Sequence, residues 1–523
     1  MDVKKEQLVP VLVAVLLGLL FLQLVLSMRL HSATSDEVTH LPSGYTYLAT
    51  GEVRMNAQHP PLIKLLAALP LLPLDPALDT RERARWDEPG FEWSFGRQFL
   101  FSNDADRILF RGRFPVVLLS IVLGIYVFVW SRDLFGPAGG LLSLLLHCFS
   151  PIVIAHGHLV TMDLGLACFF VVTLYHLRRF VRDGGWPHGV AAGIGTGLAL
   201  ATKFSAVILV LAVVVLVVWA AVRSRAATLP RLTPKRAAAF LAVTAVLASV
   251  VLYVVYLFPD DPLFYWNGLQ KVNLDHLEYY QVYLFGQFTE GSFWYYFPAA
   301  FLIKTPLPVL LLLALSAFLV HRFPAGNDLE EAFLVVPAAI FTLVTCALAD
   351  NIGIRYLLPV YPLLFIFVGR SAKFLLSTRI RRYAAVVLVV WLVAGAALIY
   401  PDHLAYFNEL VGGPANGWKY LDDSNIDWGQ DLKRLKGWMD DNGVEEVRLL
   451  TWQNLTPEYH GIRYRPLRSE ELGGTPAPGV YAISTHLLIR GELRARLLGW
   501  KTDWLSRYEP IDRIGYSIYI FRF

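Results

Sequence analysis

Cysteine is scarce in this sequence. Of its 523 residues only three are cysteine. Each lies within an apolar run, where cysteine usually behaves as a small buried hydrophobic residue. The sequence therefore suggests neither a disulfide framework nor a cysteine-based metal site. The three residues are Cys148, Cys168 and Cys346.

Charged residues are also few. They make up 17% of the chain, against 55% hydrophobic residues, and the mean hydropathy is +0.48. A water-soluble globular protein normally carries more charge, so the composition predicts a polytopic membrane protein whose solvent is the lipid bilayer. The net charge of +4 is mostly the Arg and Lys of cytoplasmic loops, which gives no reason to expect nucleic acid as a partner.

Long apolar runs are what the chain does contain. A helix needs roughly 17 to 23 apolar residues to cross a bilayer, and runs of about that length predict eleven transmembrane helices. The first run is longer than the core of a signal peptide and no cleavage site follows it, so we expect an uncleaved span. The Lys203-Phe204 junction leaves open one broken helix in place of two spans. The predicted spans are 9–30, 114–131, 138–155, 163–181, 188–203, 205–222, 237–258, 297–320, 332–349, 355–376 and 383–400.

Basic residues alternate between the loops. If the N-terminus, with Lys4 and Lys5, is cytoplasmic, every second loop is basic, as cytoplasmic loops are. This orientation places residues 31–112 and everything after Tyr400 outside the cytoplasm. The prediction is a multi-pass protein of the cell's inner membrane with an extracytoplasmic loop at 31–112.

The composition changes after Tyr400 to a mixed segment of roughly 120 residues, which is long enough for a small domain. Residues 428–442 have helical spacing, and Asp427 with Gln430 resembles a capping box for that helix. We therefore expect a membrane domain at 1–400 and a small extracytoplasmic α/β domain at 401–523. Its predicted strands are 447–450, 480–483 and 517–521.

Two adjacent carboxylates, Asp36 and Glu37, follow the first span. They could simply cap a short interfacial helix, because carboxylates favour helix N-termini. Ionisable groups beside a bilayer are costly, however, and tend to be functional. His59-Pro60-Pro61-Leu62 comes next and could equally be a stiff turn, because proline restricts its own backbone angles and those of the residue before it.

Cations from several spans are predicted to meet on the outer face, the side of Asp36. Chance placement of membrane anchors would scatter cations over both faces, so this convergence favours an anionic substrate at the outer membrane level. Asp163 begins a span on the same side. The cations are Arg113, Lys203, Lys304 and Arg355.

Two patterns resemble metal sites weakly. His156 and His158 with Asp163 would supply three ligands from one loop but no clear second shell. Residues 423–427 copy the first half of a calcium loop, yet Trp428 replaces the turn glycine. We therefore expect no metal ion and no cofactor.

The order of these motifs resembles a known family. A first span, then Asp36-Glu37, then His59-Pro60-Pro61-Leu62 with Lys64 nearby, then Arg113 and Asp163 at later spans, is similar to GT-C glycosyltransferases. The resemblance is to the protein O-mannosyltransferase and aminoarabinose transferase type, and it covers the membrane region. The β-trefoil repeats of eukaryotic protein mannosyltransferases are lacking, so the acceptor does not carry over. Further matching segments are 304–308, 354–359 and 423–431.

The resemblance implies a polyprenyl-phosphate-linked monosaccharide as donor, carrying mannose or another hexose or pentose. The sugar would pass by inverting displacement to an extracytoplasmic acceptor, a protein Ser/Thr, a lipid or a glycan. Asp36 would be the general base, with Glu37 orienting the acceptor or the base. Arg113 would be the best-matched ligand of the donor phosphate. Lys64, Lys203, Lys304 and Arg355 would be secondary phosphate ligands, and His59 and Asp163 would shape the pocket.

A transporter or lipid flippase is the alternative, since it too would place charges near the middle of the membrane. Such proteins usually contain internal repeats with broken helices in matching halves. The sequence has no such repeat, and a long carboxylate-bearing loop with an outer domain suits an enzyme better.

Overall fold

The chain forms a mostly helical membrane protein with a small C-terminal sheet. The computed structural model describes residues 3–223, 232–274, 281–326, 328–468, 471–472, 475–497, 499 and 504–523. The described helices before residue 400 are α1 Val3–Leu30, α2 Glu37–Thr50, α3 Leu62–Ala68, α4 Phe91–Ser102, α5 Ala105–Cys148, α6 Pro151–His156, α7 Met162–Asp183, α8 Trp186–Leu200, α9 Val207–Arg223, α10 Pro234–Val255, α11 Phe264–Leu274, α12 Tyr296–Lys304, α13 Leu307–Phe318, α14 Asp328–Leu348, α15 Val360–Val368, α16 Ser371–Leu375 and α17 Arg379–Leu398.

Seven of the described helices are long and apolar enough to cross a bilayer, namely α1, α5, α7, α9, α10, α14 and α17. The pair α12 and α13, bent by 111° at Thr305-Pro306, would make an eighth span if it counts as one. The multi-pass helical architecture is thus confirmed. The count of eleven spans is not.

The missing spans are apolar runs that glycine and proline break into shorter helices. The predicted spans 114–131 and 138–155 both fall largely on α5, which kinks at Gly136, with φ of 80°, before Pro137. The predicted span 188–203 is the 15-residue α8. The run 355–376 becomes a 3-10 turn followed by α15 and α16. Proline has no backbone N–H to donate to the preceding turn, so it interrupts a helix. Hydropathy does not register this interruption and counts such a run as one whole helix.

The C-terminal segment contains a five-stranded mixed sheet. The strand order is β4-β3-β5-β7-β6; β3 runs parallel to β4 and β5, and β7 runs antiparallel to β5 and β6. The three predicted strands are confirmed as β3, β5 and β7. The elements are β3 Val447–Leu450, β4 Tyr464–Pro466, β5 Val480–Ser484, β6 Asp512–Ile514 and β7 Ile518–Arg522, with α18 Leu432–Asp441, α19 Thr485–Leu497 and α20 Trp504–Arg507; a hairpin of β1 Val282–Leu284 and β2 Gln287–Thr289 precedes α12.

One apolar core joins this sheet to the loop that follows α1. Leu41 of α2 and Phe95 of α4 belong to the same buried cluster as Leu435 of α18, Val447 of β3 and Ile518 of β7. A second, larger core lies among the membrane helices α5, α7, α9, α14 and α15. Because the first core is built from both ends of the chain, it fixes where the Asp36 segment lies.

Candidate active site

Four charged side chains of alternating sign lie in a row beside the loop that follows α1. Arg355 Nη1 lies 2.8 Å from Asp36 Oδ2 and 3.6 Å from Asp163 Oδ2. Lys203 Nζ lies 2.7 Å from Asp163 Oδ1. The four residues come from four separate segments, so the tertiary fold alone brings them together. Two carboxylates and two cations alternate here in largely buried surroundings, where charge interactions are stronger than in water.

The backbone explains where each of these groups lies. Asp36 is the N-cap residue of α2, and Asp163 lies in the first turn of α7, where the helix dipole favours a carboxylate. Lys203 is in extended backbone after α8. Arg355 occupies a 3-10 turn, Ile354–Leu357. The Asp36 side chain is 20% exposed and that of Asp163 only 3%, so Asp36 is the carboxylate that a substrate can reach.

Glu37 and Arg113 form a separate ion pair that is fully buried. Arg113 Nε and Nη2 donate to Glu37 Oε1 and Oε2 at 2.8 and 2.7 Å. The remaining N–H groups of Arg113 donate to the carbonyls of Met28, His31 and Ser32. A guanidinium has five N–H donors, and all five are engaged. This geometry does not favour the predicted role of Arg113 as a phosphate ligand.

The Glu37 carboxylate is held in its ionised form. Burial is the largest single influence and would raise its pKa, but the Arg113 charge and the hydrogen bonds from Arg113, Thr34 and Val160 together outweigh burial and lower that pKa. The carboxylate also accepts from the Thr34 hydroxyl and from the N–H groups of Thr34 and Val160. Glu37 therefore anchors the loop and has little freedom to meet an acceptor.

Lys64 and Lys304 bind backbone carbonyls. Lys64 Nζ donates to the carbonyls of Asn56 and His59 at 2.8 and 2.7 Å and to the Tyr47 hydroxyl. Burial places the pKa of Lys64 well below its ordinary value. These contacts suit lysines that hold loops together, whereas the sequence predicts them as phosphate ligands. Lys304 Nζ donates to the carbonyls of Leu404 and Asn425 at 2.7 and 2.5 Å.

The three histidines considered in the sequence, His59, His156 and His158, lie around the site and contact different partners. His59 packs edge-on against His40, with ring centroids 5.1 Å apart, and burial lowers the pKa of both. His156 packs against Trp428, whereas His158 faces His31. His59 thus lines the loop wall, as a pocket-shaping residue would. The cluster of His156, His158 and Asp163 is not assembled in the described part of the chain.

Sequence reasoning missed Trp428. Its ring lies over the Arg355 guanidinium, 4.2 Å from the centroid, so the cation is held between this ring and the two carboxylates. The carbonyl of Trp428 accepts a hydrogen bond from the Ser35 N–H at 2.8 Å. The only signal in the sequence was that Trp428 lies in the 423–431 segment that resembles the family.

Asp427 and Gly429 set the position of Trp428. The predicted capping box at Asp427 is wrong, because α18 begins only at Leu432. Asp427 Oδ1 instead accepts from the Gly429 N–H and the Trp452 indole at 3.0 and 3.2 Å. Gly429 has φ of 85°, and an added Cβ would lie 2.2 Å from Leu455 Cδ1, so only glycine fits this turn.

The sequence of the central helices matches a known family. Residues 105–256 match the family model described as dolichyl-phosphate-mannose-protein mannosyltransferase. The match covers less than a third of the chain, so it shows a similarity of the central helices to this family. No curated protein sequence matches the chain.

Several solved structures resemble this chain in fold. ArnT from Cupriavidus metallidurans bound to undecaprenyl phosphate is 13% identical, with a TM-score of 0.49, over 98% of this chain and 97% of its own. The Archaeoglobus fulgidus oligosaccharyltransferase in the apo form is 13% identical, with a TM-score of 0.44, over 86% of this chain and 64% of its own. The S. cerevisiae protein O-mannosyltransferase Pmt1-Pmt2 complex bound to the sugar donor is 17% identical, with a TM-score of 0.34, over 52% and 34%.

The segment that matches the family model carries only part of the candidate site. Arg113, Asp163 and Lys203 lie within residues 105–256, while Asp36 and Arg355 lie on either side of it. The site is therefore completed by the loop before the segment and by the turn at Arg355 after it. A reachable carboxylate beside paired cations suits transfer chemistry at an anionic substrate.

Proposed function

We propose that this chain is a GT-C glycosyltransferase, which transfers a monosaccharide from a polyprenyl-phosphate carrier to an acceptor outside the cytoplasm. The observation that carries the proposal is the bridge from Asp36 through Arg355 to Asp163, with Lys203 on the far side. It places a proton acceptor next to cations that can bind phosphate. The name of the matched family, which refers to a dolichyl-phosphate sugar, agrees with such a donor.

The charge change in the reaction explains why cations are needed. A polyprenyl-phosphate sugar is a phosphodiester with one negative charge, and breaking its bond to the sugar leaves a monoester with a second charge. Cations that face the phosphate therefore stabilise the transition state more than the bound donor. Arg355 and Lys203 are the cations nearest the reachable carboxylate, and we assign the phosphate to them.

Binding of the donor would also free the base. In the structure Arg355 is hydrogen-bonded to Asp36, so that carboxylate is occupied. A phosphate that binds Arg355 competes for the same Nη1 donor and releases Asp36 to accept the acceptor's proton. Attack from the face opposite the phosphate would invert the anomeric centre.

Glu37 and Arg113 act as positioning residues in this scheme. Their mutual pairing and their bonds to Thr34, His31 and Ser32 hold the segment that leads to Asp36. Lys64 and Lys304 have a similar role through backbone carbonyls. Asp163 orients Arg355 and Lys203, because it is bound to both cations.

An apolar cleft supports a lipid-linked donor. A cavity of about 820 Å³ opens between α12, α13, α14 and α15, in the angle of the bent pair. At one end it reaches Leu357, two residues after Arg355, and Tyr361, whose hydroxyl is 2.9 Å from that of Thr305. An isoprenoid chain could occupy this cleft while its phosphate reaches Arg355. Its lining includes Phe301, Leu302, Leu313, Val335, Leu343 and Leu364.

The transporter alternative gains little support. Only the pair α12 and α13 is bent in this way among the described helices, whereas inverted repeats would contain broken spans in matching halves. We propose further that the loop at 31–112 and the C-terminal sheet lie on the extracytoplasmic side of the inner membrane. The division into domains at residues 1–400 and 401–523 remains a prediction.

Transfer from a defined donor tests the function. Purified protein in liposomes would receive synthetic polyprenyl-phosphate sugars, radiolabelled in the hexose or pentose, with envelope material from cells that lack the gene. We expect released polyprenyl phosphate and label in that material, in the anomeric form opposite to the donor's. Absence of polyprenyl phosphate release with every sugar in the panel would refute the proposal, and retained anomeric configuration would refute direct displacement.

A further inference from the structure

Three residues of metal-ligating type meet outside the charge chain described above. The ligand atoms of His31, Asp402 and Asp431 all lie within 4.8 Å of one another. His31 follows α1, Asp402 follows α17, and Asp431 precedes α18, so they come from three distant segments. No sequence motif joins them, which is why the sequence predicts no metal ion here.

A chain of hydrogen bonds determines which nitrogen of His31 is free. His158 Nδ1 lies 2.8 Å from the Ile154 carbonyl, which can only accept, so this nitrogen carries a proton. The other nitrogen of the neutral ring, Nε2, is then an acceptor, and His31 Nδ1 donates to it at 3.2 Å. Both rings are buried, which favours the neutral imidazole.

His31 Nε2 is left with a bare lone pair. It is buried and has no hydrogen-bond partner among the described residues, and His31 as a whole is only 5% exposed. A buried acceptor without a partner is costly. A ligand histidine usually donates its other N–H to a fixed acceptor, and His31 does so through His158.

The two carboxylates of the cluster face a single cation, which leaves the cluster with a net negative charge. Arg434 Nη1 donates to Asp402 Oδ1 and to Asp431 Oδ1, the latter at 2.9 Å. The Ser517 hydroxyl donates to Asp431 Oδ2 at 2.6 Å. Two carboxylates and one guanidinium sum to one negative charge in a largely buried place.

We propose that His31, Asp402 and Asp431 bind a divalent cation, with Zn²⁺ as the ion best suited to them. One imidazole nitrogen and two carboxylate oxygens are common zinc ligands, and a water molecule would complete a tetrahedron. His158, Arg434 and Ser517 already orient the three ligands as a second shell does. Tetrahedral zinc places its ligand atoms roughly 3.3 Å apart, so the three side chains would draw together by at most about 1.5 Å.

The ion would act as a clamp on the segment that leads to Asp36. It would join the start of that segment to the exit of α17 and to the turn before α18. The His31 carbonyl also accepts from Arg113, so the clamp and the Glu37–Arg113 pair hold the same stretch of backbone. Binding at a site made of three segments stabilises the folded chain.

Metal analysis of the tag-free full chain tests this site. After chelation and dialysis, we expect the protein to take up about one Zn²⁺ per chain, with a higher melting temperature on re-addition. His31→Gln and Asp402→Asn should each weaken zinc binding at least tenfold, a minimum set by the effect of losing a second-shell partner. His188→Gln is the matched control, because His188 pairs with His176 well away from the cluster, and it should retain the zinc.

X-ray absorption at the zinc edge of the wild-type protein gives a second readout that does not depend on variants. One imidazole with oxygen ligands and no sulfur is the expected first shell. Two or more imidazoles would place the ion elsewhere and overturn the proposal, as would wild-type zinc affinity in His31→Gln and Asp402→Asn. Failure of the wild-type protein to bind zinc stoichiometrically would overturn it too and would leave a proton as the missing charge.

Discussion

Arg355 and Asp36 are hydrogen-bonded at 2.8 Å although 319 residues separate them in the chain. The pair joins the loop after the first membrane helix to a turn between the last ones. The reachable carboxylate of the site is thus paired with a cation in the structure. This coupling of base and cation underlies the predictions for Asp36 and Arg355.

Asp36→Asn should slow the chemical step by roughly 10² to 10⁴, the usual contribution of a positioned base. Donor binding should survive, because the cations hold the phosphate. Single-turnover transfer and donor binding would be measured on the same preparations. Glu88→Gln, an exposed carboxylate of the same loop, is the control and should transfer normally. Full turnover by Asp36→Asn would remove this residue from the mechanism and direct attention to Asp163.

Arginine to lysine changes at positions 355 and 113 should have different effects. Arg355→Lys cannot present the same planar fork to two partners, so donor affinity should fall about tenfold. Arg113→Lys should lower the melting temperature while the folded fraction keeps its donor affinity, because the Arg113 donors are all engaged within the protein. Direct donor binding and thermal unfolding distinguish the two. A weakened donor affinity in Arg113→Lys would restore it as a phosphate ligand.

Glu37→Gln should destabilise the fold by roughly 3 to 5 kcal/mol, since it leaves the Arg113 charge buried without its partner. Because the pKa of Glu37 is lowered on folding, its contribution is complete above the unfolded value of about 4.3 and is lost as pH falls through the folded value. The wild-type melting temperature should therefore fall more steeply with acid than that of Glu37→Gln. If the melting temperatures of the two proteins fell equally with decreasing pH, the stabilising role assigned to ionised Glu37 would be contradicted.

Trp428→Leu should reduce turnover by about 2-fold to 30-fold, which corresponds to a cation–π contact of roughly 0.5 to 2 kcal/mol. The ring keeps Arg355 facing the carboxylates, so donor affinity should fall with turnover. Trp438→Leu is a control in the neighbouring helix α18, where the indole donates to Asp512 at the surface. Equal effects of the two changes would mean that Trp428 serves packing alone.

Single cysteines at Ser102 and Asp441, both exposed, test the topology in a cysteine-free background. An impermeant thiol reagent added outside intact cells should label both positions. Both residues belong to segments that share one apolar core, so they must lie on the same side. Labelling of only one of them would overturn the arrangement.

Charge patterning points to four residues that lie together in the structure. Asp36, Asp163, Lys203 and Arg355 were chosen because ionisable groups beside a bilayer are costly, and the structure brings these four together. The same reasoning gave no means to tell a free cation from one bound to carbonyls, as Lys64 is, because backbone positions depend on the tertiary fold. Trp428 was missed for a related reason. Nothing in the sequence indicates which aromatic ring will pack against a guanidinium that is distant in the chain.

The helical class could be predicted from hydropathy, whereas the number of spans could not. A run of apolar residues looks continuous even where Gly136 or Pro306 bends the chain. The C-terminal strands were found because alternation with period two is a local property. The start of α18 was placed too early because the positive φ of Gly429 cannot be recognised from composition.

The contacts between the segment before Asp36 and residues 428–430 also determine when the candidate site can assemble during synthesis of the chain. The N–H groups of Ser32 and Ser35 are bonded to the carbonyls of Gln430 and Trp428, so residues made first depend on residues made near the end. The ribosome must therefore complete almost the whole chain before Asp36 can reach Arg355. A chain stopped early could insert its helices but could not assemble the candidate site, so an unfinished copy would lack the pairing of Asp36 with Arg355.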